Sequence, residues 1–173
     1  MSADPLNVLT FVRSGGQTGA DRAALDAARR LSIPIRGFVP RGGWAEDATT
    51  PPGVLAKYPE LVETDSDDPA VRTRLNVRDS HATLILSTVS LRNSAGTVLT
   101  REYARSIHRP CLLASLTADP STITSWILGT GRELTLNVAG PRESEAPGLY
   151  EGCLDLLTEV FGRLHHGSGG SSA

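Results

Sequence analysis

Ser14-Gly15-Gly16-Gln17-Thr18-Gly19-Ala20-Asp21-Arg22 is the stretch on which the reading of this chain turns. A short apolar run, Val8-Leu9-Thr10-Phe11-Val12, leads into it. Behind it, Ala20, Ala23, Ala24, Ala27, Ala28 and Leu31 fall on one helical face. The pattern is strand, glycine turn, helix. Such a turn aims backbone N–H groups at whatever sits over the helix start, where the helix dipole favours an anion. The same residues also suit a plain tight turn, with glycine supplying positive φ and Thr18 as an N-cap three residues ahead of Asp21. The stretch is not GxGxxG, and it lacks the Lys-Ser/Thr pair of a P-loop.

Outward from that turn, strands and helices alternate. The first strand is expected at about Val8 to Val12 and the first helix at about Gly19 to Leu31. Pro34 opens a second strand, Ile35 to Val39. Pro40 to Asp47 is a polar, glycine-bearing loop around Trp44, and Thr49 to Pro59 continues it without periodicity. A loop of that length in a compact domain is usually functional or mobile. Leu61 to Thr64 forms a short extended segment. Pro69 begins a helix capped by Asp67 or Asp68. Ala82-Thr83-Leu84-Ile85-Leu86 reads as a strand covered on both faces. Ser87 to Thr97 is a second Ser/Gly-rich loop, followed by a helix with Leu99, Tyr103 and Ile107 that Pro110 stops. Then come a strand at Cys111 to Leu116, a helix at 120–128 ended by Gly129 and Gly131, and a strand at Leu134 to Val138. The loop Ala139 to Ser144 leads to the clearest helix, which carries Leu149, Cys153, Leu156, Leu157, Val160, Phe161 and Leu164. Residues 1–166 form one domain, and the Gly/Ser-rich residues 167–173 are expected to be a flexible tail.

The bulk numbers narrow the function. A chain of 173 residues, 39% hydrophobic and 21% charged, can build one real core. Net charge is -2 and no basic run exists, which disfavours duplex nucleic acid as a partner. No signal-peptide plan and no apolar run near ~20 residues is present, so a cytoplasmic protein with no membrane span is expected. Cys111 and Cys153 lie far apart in apolar patterns and read as buried thiols. His81, His108, His165 and His166 have no metal-ligand spacing, so no metal site is expected.

Alternation predicts a parallel sheet with helices on both faces. In such a sheet every strand's carboxyl end lies on one edge, where ligands bind. Four polar loops fall there: Ser14–Asp21, Pro40–Asp47, Ser87–Thr97 and Ala139–Ser144. Gly15, Gly16, Gln17, Gly19, Gly96, Gly140 and Pro141 shape a pocket wall. Thr18, Ser94, Thr97, Thr100 and Ser144 supply hydroxyls. Arg22, Arg41, Arg72, Arg74 and Arg142 are candidate forks for phosphate or carboxylate. Trp44 suits stacking on a base or pterin. Asp21 disfavours a phosphate beside it and suits capping its own helix, sugar hydroxyls or a metal. Glu46, Asp47 and Glu143 are candidate acids for proton transfer at a glycosidic bond, or acceptors for ribose hydroxyls.

These motifs, taken in order, resemble a known family. Gly15 to Asp26, Gly43-Trp44-Ala45-Glu46-Asp47, Tyr58-Pro59, Glu63-Thr64, Arg72-Thr73, Asn76 to Ser80, Gly96-Thr97 and Asn137 to Ser144 are similar to the putative molybdenum carrier family over about residues 10–164. That family resembles a Rossmann-like group that includes the lysine-decarboxylase-like (LOG) phosphoribohydrolases and DNA-processing protein A. The resemblance implies an α/β, Rossmann-like three-layer sandwich with a mainly parallel sheet of about five strands. It also implies a phosphorylated nucleotide or nucleotide-like ligand, a pterin among them, held at the sheet edge by a carrier or sensor. Asn76 joins the ligand-binding set on this ground. A molybdenum cofactor follows from the family name alone. The alternative is an N-glycosidic hydrolase acting on a nucleoside monophosphate. Against it, Thr100 stands where the phosphoribohydrolase motif has its catalytic Glu. Members of the wider group are often dimers, and the last helix offers one apolar face for that.

Overall fold

Among the described residues, seven strands and five α-helices follow one another: β1 (Leu9–Arg13), α1 (Ala20–Arg30), β2 (Ile35–Arg36), β3 (Phe38–Val39), β4 (Val62–Glu63), α2 (Pro69–Arg78), β5 (Ala82–Leu86), α3 (Ala95–Ser106), β6 (Cys111–Ala114), α4 (Pro120–Thr130), β7 (Leu134–Ala139) and α5 (Leu149–His166). This computed structural model describes residues 7–88, 90 and 93–166. Residues 1–6, the tail at 167–173 and three positions of the Ser87–Thr97 loop lie outside the described residues.

The main sheet has five parallel strands in the order β2-β1-β7-β5-β6. A doubly wound sheet usually reads 3-2-1-4-5. Here β7 occupies the first position, and β1, β2, β5 and β6 occupy the second to fifth. The opening strand–helix unit of that plan, β7 with α5, therefore stands last in this chain. Its strand is inserted at the centre, where Leu136 pairs with both Val12 and Ala82. The switch in winding falls between β7 and β5, which places the binding crevice there.

Helices cover both faces, as the alternation predicts. The helix α1 packs against α5, and α4 also packs against α5; α2 and α3 pack against each other. Ala20, Ala23, Ala24, Ala27 and Ala28 of α1 are all fully buried. Such a thin face lets α1 lie close on the strands, as each larger side chain there would need displaced neighbours. The core continues through Leu136, Val138, Leu157, Val160 and Phe161.

Two expectations are corrected. The segment Ile35–Val39 is broken at Gly37 into β2 and β3. Gly37 runs so close to the Ser14 carbonyl that a Cβ would stand 1.8 Å from its oxygen. Past that contact the chain leaves the main sheet, and β3 pairs with β4 instead. Gly129 lies within α4, which ends only at Gly131. The long loop after β3 is also less loose than its composition predicts. Val54, Tyr58 and Leu61 are buried, and the Tyr58 hydroxyl donates to Asp26 on α1 at 2.7 Å. Cys153 is buried, Cys111 is half-buried, and both are free thiols. Burial pushes the Cys153 thiol up to about 12.

Candidate functional site

Parallel pairing places the carboxyl ends of β1, β7 and β5 side by side. A cleft of about 280 Å³ opens at that edge. Gln17 and Asp21 line it from the loop after β1, and Ala139, Gly140, Arg142 and Glu145 from the loop after β7. The start of α3 contributes Ser94, Ala95, Gly96, Leu99 and Thr100. The start of α2 contributes Asp68, Pro69, Ala70, Arg72 and Thr73.

The helix starts at this edge differ in how they are closed. Asp68 caps α2 through the Ala70 N–H at 2.9 Å. Glu143 accepts from the N–H groups of Gly148 and Tyr150 and so closes the start of α5. No side chain among the described residues caps α3. The Ser94 hydroxyl instead meets that of Thr97 at 2.8 Å, and Thr100 donates to the Gly96 carbonyl. The first-turn N–H groups of α3 are thus left for a partner, and a Cβ on Gly96 would meet none of the described residues within 4 Å.

Asp21 and Arg72 form the buried charge pair of the cleft. Arg72 Nη1 donates to Asp21 Oδ2 at 3.3 Å, and the Gln17 N–H reaches the same oxygen at 3.4 Å. The side chains are 4% and 15% exposed. Burial holds the Asp21 carboxyl above its usual range, although Arg72 pulls the other way. Arg72 Nε is buried and has no hydrogen-bond partner among the described residues. Gly15 lies beneath this guanidinium: a Cβ there would sit 1.8 Å from Nη1. Arg142, the other cation of the cleft, stands over the Trp44 ring with Cζ 5.3 Å from its centroid.

Beside the cleft, Glu46 clasps three loops together. Its carboxylate accepts from the hydroxyl of Thr18, and from the hydroxyl and N–H of Ser144 at 2.5 and 3.2 Å. Gln17 Oε1 accepts from the N–H groups of Thr18 and Glu46, both at 3.0 Å. The Glu143 N–H donates to Thr18 Oγ1 at 3.0 Å. Burial opposes ionisation of Glu46, but the Ser144 and Thr18 hydrogen bonds outweigh it and hold the carboxyl below its usual range. Thr18 is therefore a loop tie. The N-cap of α1 is Gly19, at φ 77, with no side-chain cap.

The residues singled out from sequence thus separate by place. Gln17, Asp21, Arg72, Ser94, Gly96, Thr100, Gly140 and Arg142 meet at the cleft. Thr18, Gly19, Arg22, Asp47 and Glu143 border a second depression of about 350 Å³, with Asp26, Lys57, Tyr150 and Glu151. The two depressions share no lining residue. Arg22 is held by Asp47 at 2.9 Å and by the Gly16 carbonyl. Asn76 is turned to the backbone of Phe38, accepting at 2.8 Å and donating at 3.0 Å. Trp44, Thr97, Pro141 and Ser144 are not among the cleft's lining residues. Arg41 donates to the Asp65 carbonyl, and Arg74 is exposed. The start of α2 was missed as a cleft wall. Its signal was the Asp68-Pro69 helix opening, another N-terminus on the same edge. Among the described residues, no group of three or more His, Cys, Asp or Glu is placed to hold a metal ion. None of the described helices is long and apolar enough to cross a membrane.

Similarity to known proteins agrees with this layout. A family described as "Circularly permutated YpsA SLOG family" matches residues 12–161. The crystal structure of a "Putative molybdenum carrier protein" from Syntrophus aciditrophicus SB is 39% identical, with a TM-score of 0.78. The similarity covers 90% of this chain and 96% of that one. No curated protein matches the chain.

Proposed function

From the premise that the chain belongs to the circularly permutated YpsA SLOG family, we propose that the cleft between β7 and β5 binds the phosphate of a nucleotide or nucleotide-like small molecule, as a carrier or sensor. The observation that carries this reading is the uncapped start of α3, which opens on a cleft that also holds Arg72 and Arg142. Free N–H groups at a helix start and arginine forks are the recurring means of holding a phosphate. In the unpermuted plan, the loop after the first strand carries the phosphate. Its counterpart here is Gly140–Glu145, after β7. Gly140 brings its backbone so near Leu86 and Ala20 that a Cβ would stand 2.3 Å from the Leu86 carbonyl oxygen.

The Syntrophus relative is named for molybdenum. In this chain, the arginines and N–H groups suit the phosphate of a molybdenum-carrying pterin as they suit that of a nucleotide. The hydrolytic reading has less support. Glu46 and Glu143 are engaged in loop and helix-start hydrogen bonds, Asp47 is paired with Arg22, and none of the three lines the cleft.

A thermal-shift series with nucleoside monophosphates, nucleotide sugars, molybdopterin and molybdate tests the proposal. A ligand at about 100 times its Kd adds about 2.7 kcal/mol to stability. Stabilisation by phosphorylated ligands and not by molybdate alone is expected. No stabilisation by any phosphorylated ligand would overturn the reading.

A further inference from the structure

Asp21 carries an oxygen for which the described residues supply no donor. Oδ2 takes both donors described above, from Arg72 and Gln17. Oδ1 accepts no hydrogen bond from the described residues, yet it is not among their sealed, unsatisfied atoms. Asp21 lines the cleft, so this oxygen is the one left for a ligand there. The other two carboxylates of the cleft differ. Asp68 is exposed and Glu145 is half-buried, so both are open to solvent. The Asp21 side chain is 4% exposed, which leaves water little room.

A carboxyl oxygen left bare in a buried site calls for a hydrogen-bond partner. A cationic donor is disfavoured by the Arg72 guanidinium 3.3 Å from the neighbouring oxygen. A neutral hydroxyl is not. In a phosphorylated nucleoside, the sugar hydroxyls are the neutral donors attached nearest the phosphate. We propose that Asp21 Oδ1 accepts a sugar hydroxyl of the ligand, so that the cleft selects ribonucleotides over their deoxy counterparts. This rests on the phosphate-binding reading of the cleft and names the sugar that accompanies the phosphate. Gly15 belongs to the same device: without a Cβ it leaves room for Arg72, which holds Oδ2 and leaves Oδ1 turned to the ligand.

Calorimetric titration of the full chain with a nucleoside 5′-monophosphate and its 2′-deoxy and 3′-deoxy analogues provides the test. At least one deoxy analogue is expected to bind about tenfold or more weakly, because the loss leaves a buried acceptor unpaired. In Asp21→Asn, whose amide can keep one oxygen near Arg72, the ribo/deoxy ratio is expected to fall toward one. Equal affinities for all three ligands on the unaltered protein would overturn the sugar assignment while leaving the phosphate site standing, whether or not the variant folds. Discrimination that follows the base and not the sugar would also overturn it. Failure of every monophosphate to bind would instead overturn the reading of the cleft itself, and this inference with it.

Discussion

Arg72 and Asp21 meet across 51 positions of chain, with Nη1 3.3 Å from Oδ2, directly above Gly15. The pair joins α2 to the first turn of α1 and supplies the buried charges of the cleft. It makes the need for glycine at position 15 specific. In Gly15→Ala the new methyl would stand 1.8 Å from Nη1, the far end of a flexible side chain, with no positive φ to strain. The arginine is expected to swing away at a cost of about 1–2 kcal/mol, with phosphate affinity lost. Gly19→Ala meets a rigid obstacle, the Pro141 carbonyl oxygen at 2.5 Å, at φ 77. It is expected to cost at least about 2 kcal/mol. Urea denaturation compares the two. A larger stability loss at Gly15 than at Gly19 would contradict this arrangement.

Asp21 also makes stability depend on pH. Burial raises its carboxyl in the folded chain above the unfolded value of about 3.9. The folded state therefore binds this proton more tightly than the unfolded state. Its favourable contribution is complete below the unfolded value and is lost as pH rises through the folded one. Asp21→Asn is expected to raise Tm at pH 7, with the gain shrinking to nothing toward pH 3.5. Thermal melts across that range provide the check; a gain independent of pH would contradict it.

Glu46 has the opposite sign. Its folded carboxyl lies below the usual range, so its contribution is present above the unfolded value and is lost as pH falls through the folded one. Glu46→Gln is expected to cost about 1 kcal/mol at pH 7 after screening by solvent, or about 2–4 °C in Tm. The difference should fade in acid. The same variant loosens the ties to Thr18 and Ser144, so faster amide exchange at Ser144 is expected alongside it.

Arg142→Ala is expected to weaken a phosphorylated ligand by at least about 1.5 kcal/mol, the loss of a charge-assisted contact. Trp44→Leu removes only the ring on which Arg142 rests, so a smaller loss of about 0.5–1 kcal/mol is expected. Calorimetric titration measures both. Equal affinity in Arg142→Ala and the unaltered protein would remove Arg142 from the site.

Much of the architecture was legible because it is written in local pattern. The apolar run Ala82–Leu86 is β5 to the residue, Asp68-Pro69 opens α2, and the alanine face of α1 is buried. Local pattern does not say which strands become neighbours. Nothing in residues 134–139 announces that β7 inserts between β1 and β5. That insertion moves the opening turn from the first position of the standard order to the second. It also turns Ser14–Arg22 into a composite, with Gln17 and Asp21 in the cleft and Thr18, Gly19 and Arg22 on the other depression. The roles of Glu46 and Asn76 were hidden for the same reason. A carboxylate that ties loops and an amide that braces Phe38 look, in sequence, like groups awaiting a ligand.

The central claim, a phosphate held between the starts of α3 and the loop after β7, is tested most directly by titrating ¹⁵N-labelled protein with a nucleoside 5′-monophosphate and following its amide and arginine Nε resonances. Saturable shifts at Gly96, Thr97, Gly140, Arg142 and the Arg72 Nε are predicted. Shifts confined to Lys57, Tyr150 and Glu151 around the second depression, or no saturable shift at all, would contradict the account.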